Sequence, residues 1–272
     1  MTDDDVAQFY DSLSGSYDRL YADWAASGDR QGRALQALVE PELGPGPHSI
    51  LDCSCGIGTQ LIGLAPFGHR LTGTDLSPAA VARAAVECRR RNVAVQLDPA
   101  DMRWLPFPDN AFDVVICIDN SVAHLLTEAD LTAALTEWAR VLRPGGLAIL
   151  TTREYDELAA ERPISPPVQV STDAAGHRVV TTQLWDWRSD GAGYRLTHLQ
   201  AHEQPGGSWR IEARTSRLRA WQREEFRDLA RNAGLEPRPW LTAAEAGLHQ
   251  QALVLCRPAP PQGHRQGARG AG

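Results

Sequence analysis

The stretch "ILDCSCGIGTQLIGLA", Ile50 to Ala65, constrains the fold more tightly than any other in the chain. A short apolar run ends in an acid, two closely spaced glycines follow, and an apolar pattern with helical spacing resumes. This order predicts a buried strand ending at Asp52, a tight turn, and a helix starting near Thr59. Gly56 and Gly58 let the backbone turn sharply and approach a ligand without Cβ obstruction.

The flanking segments continue the pattern. Apolar runs recur at "HSILDCS", "HRLTGTD", "VAVQLD", "FDVVICI" and "LAILTT", with alanine-rich or helically spaced segments among them. "SPAAVARAAVECRRRN" opens with Ser77 as a cap and Pro78 at the first helical position. "TEADLTAALTEWARVLRPGG" opens with a capping box from Thr127 to Asp130 and stops at "RPGG". Alternating strands and helices predict an α/β chain, with a mostly parallel sheet covered on both faces over residues 30–152. Ligands of such sheets gather at the carboxyl ends of the strands.

From residue 153 to 220 the texture changes. "HRVVTTQLWDW", "GYRLTHLQAHE" and "SWRIEARTSRLRAW", joined by "RSDGAG" and "QPGG", read as an antiparallel insertion. Residues 221–257 return to the main sheet through a helix ended by Gly234 and the strand "QQALVLCRP". The tail, 258–272, is rich in Pro, Gly and Ala with little to bury, and is expected to be disordered.

Composition narrows the partners. A net charge of −7 without a clustered basic face argues against nucleic acid. No apolar run approaches the roughly 20 residues of a membrane helix. The start, "MTDDDVAQFYD", is acidic where a signal peptide is basic. The expectation is a cytoplasmic protein that works on small molecules without nucleic acid or membrane. The five cysteines are an odd number, and Cys53 and Cys55 have no His or Cys cluster to complete a tetrahedral site, so reduced thiols and no metal are expected.

Two ligands suit the Gly56 turn. A pyrophosphate site of G-x-G-x-x-G type needs a third glycine where this chain has Leu61. The alternative is S-adenosylmethionine, whose ammonium Asp52 can accept. Asp75 in "LTGTDLSP" stands at the next strand's carboxyl end, where an acid takes ribose hydroxyls. After the third strand, "LDPADMRW" offers Asp101 for an adenine amino group and Met102 to cover the ring.

With these residues in place, the chain resembles class I S-adenosylmethionine-dependent methyltransferases over nearly all of residues 30–257, and most of all the glycine and glycine/sarcosine N-methyltransferase-like group. "LDCSCGIGT", "GTDLSP", "FDVVICIDNSVAHLL" and "LRPGGLAILTTREYDEL" carry the likeness in order. The resemblance implies a Rossmann-like fold with a seven-stranded sheet, and a cofactor site of Asp52, Cys55, Gly56, Gly58, Asp75, Leu76, Asp101, Met102 and Asp119. Arg30 would meet the cofactor carboxylate. S-adenosylhomocysteine would be the product. The block "IDNSVAHL" makes Asp119, Asn120, Ser121 and His124 pocket candidates, and Arg153 matches an arginine that holds a substrate carboxylate. Glu154 stands where the family has Asn, and the extra tryptophans, Trp185 among them, also depart from the pattern.

The aromatic segment of residues 1–29, with Phe9, Tyr10, Tyr17, Tyr21 and Trp24, would form a helical lid, and residues 153–220 a substrate cover or a homodimer surface. Tyr17 or Tyr21 would face the sulfonium or a substrate cation. Catalysis would fall to His124, Asp119 and Tyr21, with alignment for in-line displacement counting for more than base strength. Three functions follow: N-methylation of a small amine or amino-acid-like metabolite; C- or O-methylation of an aromatic natural-product intermediate against a wall of Trp185, Trp187, Tyr194 and Trp209; and an idle cofactor-binding module or nucleotide-dependent oxidoreductase. "IDNSV" in place of an Asn/Asp-Pro-Pro-aromatic run argues against methylation of RNA or DNA.

Overall fold

The computed structural model describes residues 3–21, 23–173 and 175–260. The chain opens with α1 (Asp3–Leu13), a 3-10 turn (Ser14–Leu20) and α2 (Trp24–Leu43). The expected lid boundary at residue 29 thus falls inside a single helix, begun by the Asp23 carboxylate accepting from the Ala26 N–H. Next come β1 (Ser49–Asp52), α3 (Thr59–Leu64), β2 (Arg70–Asp75), α4 (Pro78–Arg90) and β3 (Val95–Pro99). As expected, Ser77 caps α4 and Pro78 begins it.

The second half of the core is β4 (Phe112–Cys117), α5 (Glu128–Val141) and β5 (Leu142–Thr152). Thr127 caps α5 through the Asp130 N–H. The "RPGG" segment lies within β5, which is longer than its apolar run suggests. After α6 (Tyr155–Glu161), β6 (Gln169–Thr172), β7 (Arg178–Trp187), β8 (Gly193–Glu203) and β9 (Trp209–Arg219) form a separate four-stranded antiparallel sheet. Its edge strand β6 is short and has little alternation, and sequence reasoning missed it. The chain returns through α7 (Arg223–Asn232), β10 (Glu236–Pro237), α8 (Ala243–Ala246) and β11 (Gln251–Cys256). Residues 261–272, most of the tail expected to be disordered, lie outside the described residues.

The main sheet has the order β10-β11-β5-β4-β1-β2-β3, parallel except for β11 against β5 and β10 against β11. Strand order reverses between β1 and β4, the place where such sheets open a crevice at their carboxyl ends. On one face Leu131, Leu135 and Trp138 of α5 pack with Phe226 of α7, and on the other Leu35 and Val39 of α2 pack with Leu61 and Leu64 of α3. A third cluster joins Phe9 and Leu13 of α1 to Trp185, Tyr194 and Leu196 of the antiparallel sheet, so α1 roofs the space between the sheets.

Helices α2 and α3 cross in near contact. A Cβ on Gly32 would stand 2.0 Å from the Gly63 carbonyl oxygen, and one on Gly63 would stand 2.1 Å from that of Gly28. Only glycine permits such an approach, which sets α3 and hence the turn before it against α2.

Candidate active site

The turn between β1 and α3 holds Gly56 at φ +49° and Gly58 at φ +89°. The Gly56 N–H donates to Asp75 Oδ2 at 2.8 Å, and the Ser77 N–H donates to Oδ1 at 2.9 Å. Burial raises the Asp75 carboxyl above its usual range, and the two N–H donors oppose that rise. A Cβ on Gly56 would meet nothing within 4 Å, whereas one on Gly58 would meet Ala84 Cβ at 3.4 Å and Cys88 Sγ at 3.5 Å. Gly56 therefore opens onto space, while Gly58 makes room for α4. Gly58 lines none of the cavities described below, contrary to the expectation that both glycines face a ligand.

Two cavities meet at this turn, and a third shares Tyr10, Tyr17 and His124 with the first. The first, of about 220 Å³, is lined by Gly56, Asp75, Leu76, Asp101 and Met102, with Tyr10, Tyr17, Ser121 and His124 on its inner side. Asp75, Leu76, Asp101 and Met102 are thus brought together as expected. Both Asp101 oxygens already accept from the Arg103 guanidinium, which also binds Asp130.

The second, smaller cavity lies on the other side of Gly56, between Cys55, Thr59, Gln60, Tyr21 and Asp119. Asp119 and Asn120 both take positive φ after β4. Asp119 Oδ2 accepts from the Tyr21 hydroxyl at 2.9 Å and from Gln60 Nε2 at 3.1 Å. Burial raises its carboxyl pKa, against the pull of these donors. Two expected members stand apart from these three cavities. Asp52 is fully buried and lines none of these cavities: Oδ1 accepts from the Ser54 N–H, Oδ2 has no partner among the described residues, and burial pushes its pKa well up. Arg30 is exposed and lines none of these three cavities, but it shares a neighbouring cavity with Tyr17, Tyr21 and Asp119.

The third cavity, of about 110 Å³, lies between α1 and the antiparallel sheet, lined by Tyr10, Tyr17, Asp119, Asn120, His124, Arg153, Gln183, His198 and Ser216 among others. His124 faces both it and the first cavity. Its Nε2 lies 2.8 Å from the Tyr10 hydroxyl and its Nδ1 3.3 Å from Ser216 Oγ. Burial, then the nearby Arg153 charge, lowers its pKa to about 4, so the ring is neutral at ordinary pH. Burial also raises Tyr10, Tyr17 and Tyr21, which are neutral phenols.

Arg153 forms no ion pair with Glu157, which binds Arg223 instead. Its guanidinium donates to the Tyr194 hydroxyl and, at 3.3 Å, to Gln183 Oε1, and it lies 4.6 Å above the Trp185 ring. It pairs with no carboxylate among the described residues. Trp185 supports Arg153 from behind and does not line the cavity, correcting its expected contact with substrate. The expected wall also loses Trp209, exposed at the far end of β9 under Arg178. Asn120 lines the cavity, but its amide is committed: Nδ2 donates to Tyr155, and Oδ1 accepts from Thr152 Oγ1 and the Arg153 N–H. Sequence reasoning missed Gln60, Gln183, His198 and Ser216. No local motif marks them, because each meets the site only through tertiary packing.

Residues 50–146 match a family model described as a methyltransferase domain. That stretch is similar to methyltransferase domains. The chain is 34% identical over 158 residues to a glycine/sarcosine N-methyltransferase of Parasynechococcus marenigrum, covering 58% of this chain and 55% of that protein. It is 32% identical over 123 residues to the glycine N-methyltransferase of Rattus norvegicus, covering 41% and 42%. The chain spans about half the length of the curated relatives it matches. Among solved structures, the methyltransferase fold matches CalS10, an amino pentose methyltransferase from Micromonospora echinaspora, with a TM-score of 0.72 at 22% identity over 90% of this chain and 96% of that one. The sugar N-methyltransferase KedS8 from Streptoalloteichus matches with a TM-score of 0.68 at 23% identity, over 89% and 92%.

Proposed function

We propose that this chain is an S-adenosylmethionine-dependent N-methyltransferase whose acceptor is a small amine bearing an anionic group. The observation that carries the reading is Arg153, a half-buried guanidinium with no carboxylate partner among the described residues, which lines a polar cavity sharing Tyr10, Tyr17 and His124 with the cavity beside Gly56. A carboxylate on the acceptor is the natural partner for its fork. The relatives that act on glycine and sarcosine support the same class. The aromatic alternative loses its support, because Trp185 and Trp187 do not line the acceptor cavity.

The residues present fit the cofactor. The space above Gly56 is one a Cβ would fill, Asp75 faces it as a ribose acceptor, and Leu76, Met102 and Asp101 suit an adenine. Asp119, held by Tyr21 and Gln60, suits an ammonium group. Once bound, S-adenosylmethionine supplies a methyl group on a cationic sulfur. The protein's part is then to align and desolvate the acceptor. Arg153 fixes its carboxylate, and neutral His124 with the Tyr10 hydroxyl orients the nitrogen. At a pKa of about 4 His124 is a weak base, and its role is positioning.

The test is methyl transfer to a panel of carboxylate-bearing amines, plain amines, phenols and indoles. The reading expects product from the first group, with Arg153→Met raising KM for it. Methylation of phenols or indoles alone would contradict it.

A further inference from the structure

On the inner face of the antiparallel sheet, alternate residues of β8 are buried, and beyond Leu196 they are polar: His198, Gln200 and His202. Thr181 of β7, paired with Gln200 across the ladder, is buried beside them. Each keeps a buried polar atom with no partner among the described residues: Thr181 Oγ1, and Nε2 of His198, Gln200 and His202. Buried polar atoms are nearly always paired, because stranding one costs free energy. Four on one strip point to a ligand. The strip starts at the acceptor cavity, which His198 lines. Beyond that point the Ser14–Leu20 turn covers it: Ser16 Oγ donates to Gln200 Oε1 at 3.0 Å, and Arg19 lies 3.4 Å from His202 Nδ1.

We propose that the acceptor cavity continues along β8 beneath the Ser14–Leu20 turn as a second subsite, which takes an uncharged, hydroxyl-bearing arm of the acceptor such as a polyol or glycosyl group. This rests on Arg153 as the anchor for the acceptor's anionic end. The imidazole of His198, lowered to about 4 by burial, is neutral. Neutral imidazole, carboxamide and hydroxyl can each pair with a hydroxyl, which both donates and accepts. A cationic arm would meet Arg19 and Arg214, and an alkyl arm would leave all four atoms stranded. A site built this way rejects an analogue without hydroxyls far more strongly than an apolar pocket rejects an added one.

The experiment titrates gluconate and hexanoate, carboxylates of equal chain length, into protein saturated with S-adenosylhomocysteine. Gluconate should bind at least about tenfold more tightly. Thr181→Val and Gln200→Leu should erase that preference while S-adenosylhomocysteine titrates as before. Thr181→Val should not lower the melting temperature, since it swaps a stranded hydroxyl for a methyl of similar size. Equal binding of the two acids, no binding of either, or a preference unaltered in both variants would overturn the inference. Arg153→Met separates the two readings: if it weakens neither acid, the anchor fails by itself, and the subsite is judged on the gluconate–hexanoate difference alone.

Discussion

The hydroxyl of Tyr10 lies 2.8 Å from Nε2 of His124, tying the N-terminal helix to a ring that faces two cavities. That ring is held neutral, with its pKa lowered from 6.5 to about 4. Because the folded state disfavours the protonated ring, the stability it contributes is present above pH 6.5 and is lost as the pH falls toward 4. Over that window the wild type should lose about 3 kcal/mol more than His124→Gln, measured by urea unfolding at each pH. Equal slopes for the two proteins would contradict a buried neutral imidazole.

Gly56 and Gly58 should separate in a mutational test. Both have positive φ, so alanine at either costs about 1 kcal/mol of backbone strain. Gly56→Val should also fill the space above the turn and abolish binding of S-adenosylhomocysteine, at a greater strain cost than alanine because its Cβ is branched. Gly58→Ala should act mainly on stability, through its contacts with Ala84 and Cys88. Melting curves and titrations of both variants decide the point.

The α2–α3 crossing should tolerate no side chain. Gly63→Ala places a Cβ 2.1 Å from the Gly28 carbonyl oxygen, so one helix must shift. The expected loss is about 3 kcal/mol, at the upper end for overpacking, and it would appear as a fall in the urea midpoint. A substitution within about 0.5 kcal/mol of the wild type would show that the helices cross less closely.

Arg153→Lys keeps the charge and loses the planar fork that Tyr194 and Gln183 hold in place. The variant should raise KM for a carboxylate-bearing amine about tenfold or more, while the affinity for S-adenosylhomocysteine stays as it was. Arg153→Met should raise KM further, with some loss of stability from the contacts it gives up with Tyr194, Gln183 and Trp185.

Local signals carried the core. The strand ending at Asp52, the helix from Thr59, the Ser77–Pro78 start and the Thr127 cap are each written in a few adjacent residues, and the structure places them there. What depends on distant partners was not legible. Gly32 and Gly63 look ordinary until two helices cross. Trp185 belongs to a plausible aromatic face, but Arg153 lies over its ring. Arg30 on α2 lines a cavity with Asp119 and Tyr21, a neighbourhood set by the crossing of distant segments and not by its own motif. The His198–Gln200–His202 alternation was visible as a strand, but only the fold shows that this polar face is the buried one.

The most direct test of the account is isothermal titration of the protein with S-adenosylmethionine and S-adenosylhomocysteine, with NADH as control, on wild type and Gly56→Val. The account predicts binding of both sulfur nucleosides on the order of micromolar, none of NADH, and loss of binding in a variant that still folds. No heat from either sulfur nucleoside, or binding unchanged in Gly56→Val, would contradict the claim that the cofactor lies against the Gly56 turn.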